Sequence, residues 1–332
     1  MVIDCHVHLW ASKPPHGGMS ARMAYSPSFR LLARRLGVDP GPGARSDQEV
    51  ERALARAVLH APQLDAAVVL ALDARYRRDG VLDAAGTHFW VTNDRVMEVV
   101  AAHPKLLFGC SVHPYRPDAL IQLERCIRAG AVLMKWLPIV QDFDPADERC
   151  APIYEVLAHH RLPLLCHTGI EHSLPLVNPA AGDPKRLAAA LRRGVTVIAA
   201  HCGSREVPLV EPNWVPDFMR MAHAFEHLYG DTAAMNLPGR NYAYRYVLND
   251  PVVRGKLVHG SDWPLPPVPP LLRVGPARAW ALSRDTNWLR RDMEIKRAVG
   301  LDDAYFRRAS ALLRLPRPVP AVAAAPVAPV AV

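Results

Sequence analysis

Paired cysteines are missing from this sequence, which argues against a disulfide scaffold and against a paired-cysteine motif. The chain has 6 cysteines in 332 residues, and no two of them are spaced Cys-x-x-Cys. Four of them lie inside apolar runs: Cys5, Cys110, Cys166 and Cys202. We interpret these four as reduced core residues, since a free cysteine packs like a small apolar side chain.

Long apolar stretches are missing as well. No run reaches the roughly 18 residues that a membrane span requires. Asp4, His6 and His8 interrupt the N-terminal run, where a secretory signal would have a continuous apolar stretch. The sequence therefore predicts a soluble, cytoplasmic protein with no membrane partner.

Basic clusters are also missing, although the formal net charge is +8. The arginines are scattered along the chain, and no nucleic-acid-binding fingerprint accompanies them. We predict no nucleic-acid partner and interpret the charge as a solvated helical surface. Attraction of a carboxylate-bearing substrate is the alternative.

Eight apolar runs bounded by glycine, proline or aspartate are present, and they alternate with helix-compatible segments. The runs lie near residues 2–10, 65–73, 106–113, 131–138, 162–168, 195–202, 228–235 and 257–263. The helix-compatible segments are 47–60, 94–103, 117–129, 151–160, 184–193, 216–227 and 242–254. Eight repeats of strand then helix predict an α/β fold, a (β/α)8 TIM barrel, over residues 1–315.

Three segments depart from this repeat. The first crossover, residues 11–64, is unusually long, and we interpret it as a lid or specificity element, with a mobile insertion as the alternative. Helical stretches around 276–282 and 302–313 predict a C-terminal helical extension. Residues 316–332 contain only Pro, Ala and Val apart from Arg317, which predicts a disordered tail.

Polar residues that close these runs carry the chemistry. His6 and His8 are two residues apart on the first strand, so they point to the same side, with Asp4 the next residue down on that face. His167 closes the fifth run and Asp262 the eighth. The carboxyl ends of barrel strands meet at one mouth. His6, His8, His167 and Asp262 could therefore surround one divalent cation there.

Imidazole nitrogens and a carboxylate oxygen suit Zn²⁺, with Mn²⁺ or Fe²⁺ as alternatives. We predict one ion held by His6, His8, His167 and Asp262. A water on such an ion has a pKa near about 7, and Asp262 is placed to accept its proton. Asp4 is either a supporting hydrogen-bond acceptor or part of a structural salt bridge.

Two further residues close predicted strands. His201 ends the sixth and is expected to orient or protonate the reacting group, or to bind a second metal. Lys135 ends the fourth and has three readings. Carboxylated, it would bridge two metals; as an ammonium, it would pair with a substrate carboxylate or with Asp262.

Substrate contacts are the last set of candidates. Arg240, after the seventh strand, is the predicted carboxylate-binding residue, because its guanidinium can form two hydrogen bonds to such a group. Trp10 and Trp136 lie near predicted strand ends and are candidate substrate contacts, with scaffold packing as the alternative for each.

Taken together, these motifs resemble the amidohydrolase superfamily, and more closely its amidohydrolase-2 branch, which includes aminocarboxymuconate-semialdehyde decarboxylase-like enzymes. The matching motifs begin with Asp4-x-His6-x-His8 and continue through Lys135, His167-Thr168-Gly169, Ala200-His201-Cys202-Gly203 and Gly260-Ser261-Asp262-Trp263-Pro264. The resemblance implies metal binding by the strand-one and strand-five histidines and the strand-eight aspartate. It also implies an acid/base or substrate-binding role for His201. Cys202-Gly203-Ser204 departs from the glycine-rich sequence often found there in the decarboxylases.

The resulting hypothesis is a metal-dependent hydrolase that acts on an amide, lactone or related acyl bond of a small, carboxylated substrate. A non-oxidative decarboxylase of aromatic or enoic acids is the first alternative. A catalytically silent barrel that binds metal or a partner is the second. A small-molecule substrate is the expected partner, and a homo-oligomer is compatible with the sequence.

Overall fold

Each of the eight apolar runs contains a strand of one parallel sheet in the computed structural model, which describes residues 1–315. The strands in chain order are β1 (Ile3–His8), β2 (Gly17–Met19), β3 (Ala66–Leu70), β4 (Phe89–Val91), β5 (Leu106–Cys110), β6 (Leu133–Trp136), β7 (Leu164–His167), β8 (Val197–Ala200), β9 (Leu228–Asp231) and β10 (Leu257–Val258). The large sheet has the order β1-β3-β5-β6-β7-β8-β9-β10. All of its neighbouring pairs are parallel.

Backbone hydrogen bonds between β1 and the segment after β10 close this sheet into a ring. Cys5 N donates to His259 O at 3.0 Å, Asp262 N donates to His6 O at 2.9 Å, and His8 N donates to Trp263 O at 2.7 Å. The predicted (β/α)8 TIM barrel is confirmed. The closing bonds also place Asp262 beside the two histidines of β1.

The helices follow the strands as predicted, with shorter pieces where proline intervenes. They are α1 (Ala21–Ala24), α2 (Pro27–Leu36), α3 (Ala44–Leu59), α4 (Asn93–Ala102), α5 (Ala119–Arg128), α6 (Pro138–Gln141), α7 (Ala151–His159), α8 (Ala188–Arg192), α9 (Val215–Ala224), α10 (Tyr244–Val247), α11 (Pro251–Arg254), α12 (Leu271–Val274), α13 (Pro276–Ser283), α14 (Trp288–Ala298) and α15 (Asp303–Leu312). The single helix expected over 242–254 is two short helices. Asp250, which precedes Pro251, is extended and caps the amides of Val252 and Val253.

The long first crossover is folded onto the barrel mouth. Its strand β2 pairs antiparallel with β4 of the second crossover. Phe29 of α2 packs edge-on against Trp10, with ring centroids 5.1 Å apart, and Asp47 of α3 accepts hydrogen bonds from the backbone and hydroxyl of Ser12. The crossover therefore covers the strand ends with ordered helices.

The C-terminal extension contains the two expected helices, α13 and α15, and two more, α12 and α14, which were not predicted. Asn287 caps α14 by accepting hydrogen bonds from Leu289 N and Arg290 N. Its amide donates to Ala57 O of α3 at 2.8 Å, which ties the extension to the first crossover. The predicted disordered tail, residues 316–332, lies outside the described residues. Within residues 1–315, every helix is too short or too polar to cross a bilayer.

A β-bulge in β1 decides which side chains reach the mouth. Asp4 pairs with Ala67 and Val7 with Val69, so Cys5 and His6 together oppose the single residue Val68. Ile3 and Cys5 belong to the cluster of buried side chains that joins strands across the barrel interior, whereas His6 and His8 line the mouth. The inward positions therefore change from odd to even residues at the bulge. Asp4 does not share the face of His6 and His8, contrary to the alternation predicted for a regular strand.

Candidate active site

A cavity of about 430 Å³ lies at the carboxyl ends of the barrel strands. Seven of the nine predicted site residues line it: His6, His8, Trp10, Lys135, His167, His201 and Asp262. Helix α2 contributes part of the opposite wall through Phe29 and Leu32. The strand ends and the first crossover thus enclose the polar side chains between them.

The metal-ligating side chains form two neighbouring groups. The first is His6, His8 and Asp262, and the second is His167, His201 and Glu171; within each, the candidate ligand atoms lie within 4.8 Å of one another. In the first group, the Nε2 atoms of His6 and His8 are 3.1 Å apart, and each is 3.4 Å from Asp262 Oδ1. The structure thus places three of the four predicted ligands in one group and His167 in the adjacent one.

Asp231 orients the histidine at the centre of the first group. Its Oδ2 is 2.7 Å from His6 Nδ1, and both groups are buried. Because a carboxylate accepts the Nδ1 proton, His6 Nε2 presents its lone pair toward Asp262. Asp231 Oδ1 also accepts the backbone N–H of His201 at 2.8 Å. This residue was not among the predicted site residues, although it closes the seventh strand as the others close theirs.

His201 is held with its lone pair directed the same way. Its Nδ1 is 2.8 Å from Ala233 O, and a carbonyl can only accept, so Nδ1 carries the proton and Nε2 is free. Nε2 lies 4.0 Å from Asp262 Oδ2. Both residues have left-handed backbones, with φ of 62° for His201 and 65° for Asp262. Such conformations cost about 1–3 kcal/mol each and cluster at functional sites.

The titrating groups are tuned by burial and by one another. Burial and the charge of Arg240 lower the pKa of His201 to about 3. Burial and the neighbouring His201 lower the pKa of His167 well below its ordinary value. Burial alone would raise the pKa of Asp262, but the rings of His6, His8 and His201 outweigh it and hold that pKa well below the usual range.

Lys135 lies between the barrel interior and the first group. Its buried Nζ is 3.0 Å from His6 Nε2. Burial lowers the pKa of Lys135, and the carboxylates of Asp262 and Asp231 oppose that shift. A side chain at this position can donate to the histidine as an ammonium or, if carboxylated, offer oxygen atoms to a metal.

The donor set fits a divalent cation. His167 Nε2 is buried and has no hydrogen-bond partner among residues 1–315. A buried polar atom without a partner is costly, and a metal ion is one group that satisfies an imidazole lone pair. Together with the facing Nε2 atoms of His6 and His8, this orphaned nitrogen matches the nitrogen and oxygen ligands that Zn²⁺ prefers.

Arg240 is placed differently from its predicted role. It is fully buried and does not line the cavity. Its guanidinium donates to Ser204 O at 2.8 Å, to Ile170 O at 2.6 Å and to Glu206 Oε1 at 3.0 Å and 3.2 Å. These partners occupy its donors, so the carboxylate-binding role predicted for Arg240 gives way to a scaffold role beneath the cavity floor.

Replacement of Arg240 by alanine is expected to destabilise the fold by roughly 3–5 kcal/mol, because it leaves two buried carbonyls and the partly buried carboxylate of Glu206 without their donor. Urea unfolding followed by circular dichroism measures this change. Arg35→Ala is the control. Arg35 is exposed on α2 at the edge of the cavity, so its replacement should leave the unfolding midpoint nearly unchanged. Equal stability of both variants would contradict the scaffold role.

Of the two tryptophans predicted to contact substrate, one lines the cavity and the other lies in the core. Trp10 lines the cavity and donates through Nε1 to Ser46 Oγ at 3.0 Å, so it remains a candidate substrate contact. Trp136 is fully buried, donates to Val112 O at 2.7 Å and packs against Phe143 and Tyr154. It lies in the core outside the cavity, so packing replaces the substrate contact predicted for it.

Glu206 and Glu171 are cavity residues that were not among the predicted site residues. Glu171 belongs to the second ligand group and lies 3.7 Å from Arg240. Burial and the nearby Glu171 raise the pKa of Glu206 to about 7. Neither glutamate closes a strand, which is why attention to strand ends alone overlooked them as site residues.

A closed parallel barrel with converging nitrogen and oxygen ligands at its mouth defines the class, a TIM-barrel enzyme. Residues 3–287 match the family model Amidohydro_2, described as amidohydrolase. The chain therefore belongs to the amidohydrolase family and is an enzyme of that superfamily, as the motifs predicted. The members of this family act on small molecules.

Solved structures support the same fold. An uncharacterised TIM-barrel protein from Bordetella bronchiseptica has a TM-score of 0.56 at 18% identity, over 90% of this chain and 97% of that one. A protein assigned as a 2-pyrone-4,6-dicarboxylic acid hydrolase from Pseudomonas putida has a TM-score of 0.55 at 15% identity, over 94% and 93%. The 5-carboxyvanillate decarboxylase of Sphingomonas paucimobilis has a TM-score of 0.52 at 11% identity, over 94% and 99%. Curated protein sequences yield no match.

Proposed function

We propose that this protein is a metal-dependent hydrolase of amide, lactone or related acyl bonds in a small molecule. The observation that carries the proposal is the first ligand group, in which Asp231 turns His6 Nε2 toward His8 and Asp262. One Zn²⁺ held by these residues, with His167 as a further ligand, is the proposed state. When bound, the cation supplies Lewis acidity toward a substrate carbonyl and toward water.

The side chains around the cation supply proton transfer. Asp262 Oδ2 accepts the proton of the attacking water, and His201 Nε2, 4.0 Å away, receives it and passes it to the leaving group. The fixed tautomer of His201 supports this order, because its Nε2 must gain a proton before it can donate one. Helix α2 and Trp10 shield the reacting group from bulk water.

The position of Arg240 favours hydrolysis over the decarboxylase alternative. Arg240 is the predicted guanidinium partner of a substrate carboxylate, and its donors are occupied by Ser204, Ile170 and Glu206. A decarboxylase would have to hold its carboxylate through the cation or Lys135 instead. The same occupation removes one of the reasons for expecting a carboxylated substrate. The acyl bond remains as the reacting group.

A substrate panel tests the proposal. Zinc-loaded protein is incubated with apolar lactones, esters and anilides and with aromatic carboxylic acids, while acid release and carbon dioxide release are followed separately. We expect acid release from at least one acyl compound and no carbon dioxide. Carbon dioxide release alone would replace hydrolysis by decarboxylation. Bound zinc without any turnover would support the binding role instead.

A further inference from the structure

The lining of the cavity around the ligand groups is largely apolar. Phe29 and Leu32 of α2, Phe89 of β4, and Leu137 and Leu237 from later crossovers are part of it. Burial of apolar surface contributes roughly 25 cal/mol for each Å² removed from water, so this lining favours a largely apolar substrate. Polar selectivity must therefore come from the few charged side chains that reach the cavity.

One oxygen of Glu206 is held and the other is available. Oε1 accepts both hydrogen bonds from Arg240, at 3.0 Å and 3.2 Å, while Oε2 accepts none from residues 1–315. The side chain is 18% exposed and lines the cavity. Arg240 also lies 3.7 Å from Glu171, whose carboxylate is within 4.8 Å of the His167 and His201 nitrogens. Glu206 thus lines the cavity and is joined through Arg240 to Glu171 of the second ligand group.

Formal charge among the side chains that join the first ligand group to Glu206 is balanced once a metal is bound. These side chains are the carboxylates Asp231, Asp262, Glu171 and Glu206 and the cations Lys135 and Arg240. Glu211, which accepts from Glu206 N, is counted apart because it pairs with His172. One divalent cation brings the sum to zero. Two divalent cations with a carboxylated Lys135 bring it to zero as well. A substrate carboxylate beside Glu206 would bring two negative charges together without a further cation, which is unfavourable.

Resting on the proposed hydrolase activity, we propose that Glu206 selects the substrate class. The enzyme takes an apolar acyl compound that carries an amine or hydroxyl donor facing Glu206 Oε2. It rejects compounds with a carboxylate at that position. Glu206 is therefore a specificity-determining residue, and the substrate is uncharged or cationic rather than a dicarboxylate.

Ligand binding tests this without turnover. Isothermal titration calorimetry with zinc-loaded protein compares 3-phenylpropylamine, 3-phenylpropanol and 3-phenylpropanoate, which share one apolar skeleton. We expect the amine to bind at least about 10-fold more tightly than the carboxylate. In Glu206→Gln, we expect the amine to lose about 10-fold in affinity, and the alcohol to change by less than about threefold because the amide oxygen still accepts.

Matched variants separate Glu206 from general effects of charge. Glu148→Gln makes the same change at a side chain that is 82% exposed and should leave all three affinities unchanged. Arg35→Ala removes the exposed cation of the cavity wall. A carboxylate preference in the wild type would overturn the proposal, and loss of that preference in Arg35→Ala would assign it to Arg35. An amine preference that survives in Glu206→Gln would also overturn the proposal.

The same compounds distinguish this inference from the hydrolase proposal. Hydrolysis of carboxylated members of the acyl panel in preference to amino or hydroxyl members would overturn the role of Glu206 and leave the activity intact. Absence of hydrolysis across the panel, with the amine preference still dependent on Glu206, would overturn the activity while the ligand selectivity stands.

Discussion

Asp262→Asn is expected to lower kcat/KM by about a thousandfold while leaving the fold intact. The carboxylate is the proposed acceptor of the water proton and lies 3.4 Å from both His6 and His8. An amide has neither the negative charge nor the proton affinity for that role. Asparagine is the suitable replacement because it tolerates the left-handed backbone that position 262 adopts, at φ 65°.

Steady-state kinetics on the substrate found in the panel measures the loss, and urea unfolding checks the fold. Asp79→Asn is the matched control, because Asp79 is 62% exposed, its one ion pair within residues 1–315 is with Arg77, and asparagine Oδ1 can still accept from Val81 N. The control should retain wild-type kinetics. A zinc-loaded Asp262→Asn enzyme with wild-type kcat/KM would remove Asp262 from the proposed proton transfer.

Removal of the metal is the second large effect. Dialysis against a chelator is expected to abolish activity, and Zn²⁺ is expected to restore it. His6→Ala should bind zinc at least about 100-fold more weakly, because it removes a ligand and leaves Asp231 without the ring it orients. His172→Ala is the control. His172 also lines the cavity, but its side chain is 49% exposed and pairs with Glu211, outside both ligand groups.

Elemental analysis of the three proteins provides the count. The proposal expects about one zinc per chain in the wild type and in His172→Ala, and a clear deficit in His6→Ala. Two ions per chain would instead assign His167, His201 and Glu171 to a second metal and make Lys135 the candidate bridge. Full occupancy in His6→Ala would contradict the ligand set.

Residues at the ends of strands were predictable, and residues whose role depends on loop paths were not. His6, His8, Lys135, His167, His201 and Asp262 each close an apolar run, and parallel strands deliver their ends to the same mouth, so strand pattern alone was enough to gather them. This rule also applies to Asp231, which ends the seventh barrel strand and was not among the predicted site residues. The strand-end rule does not predict how the ligands divide into two groups, because that division depends on distances of a few ångströms.

Arg240 shows why the other positions could not be assigned. It follows a strand, and its residue type suits a carboxylate, but the turn that carries it directs the guanidinium beneath the cavity floor toward Ser204 and Ile170. Trp136 illustrates the same limit within a strand, because the face of β6 that it occupies packs on Phe143 and Tyr154. Composition identifies what such side chains can bind, whereas the backbone path decides what they meet.

Because of the bulge in β1, the pairing register of this strand decides which of its side chains reach the mouth of the barrel. The extra residue at Cys5 and His6 is what lets apolar Ile3 and Cys5 fill the interior while the next two even-numbered residues face the mouth. Pairing all six residues of β1 without the bulge would set His6 opposite Val69 and turn both imidazoles to the outer surface of the barrel, although every residue would be retained. Anyone who transplants this histidine pair into another barrel must transplant the irregularity along with it.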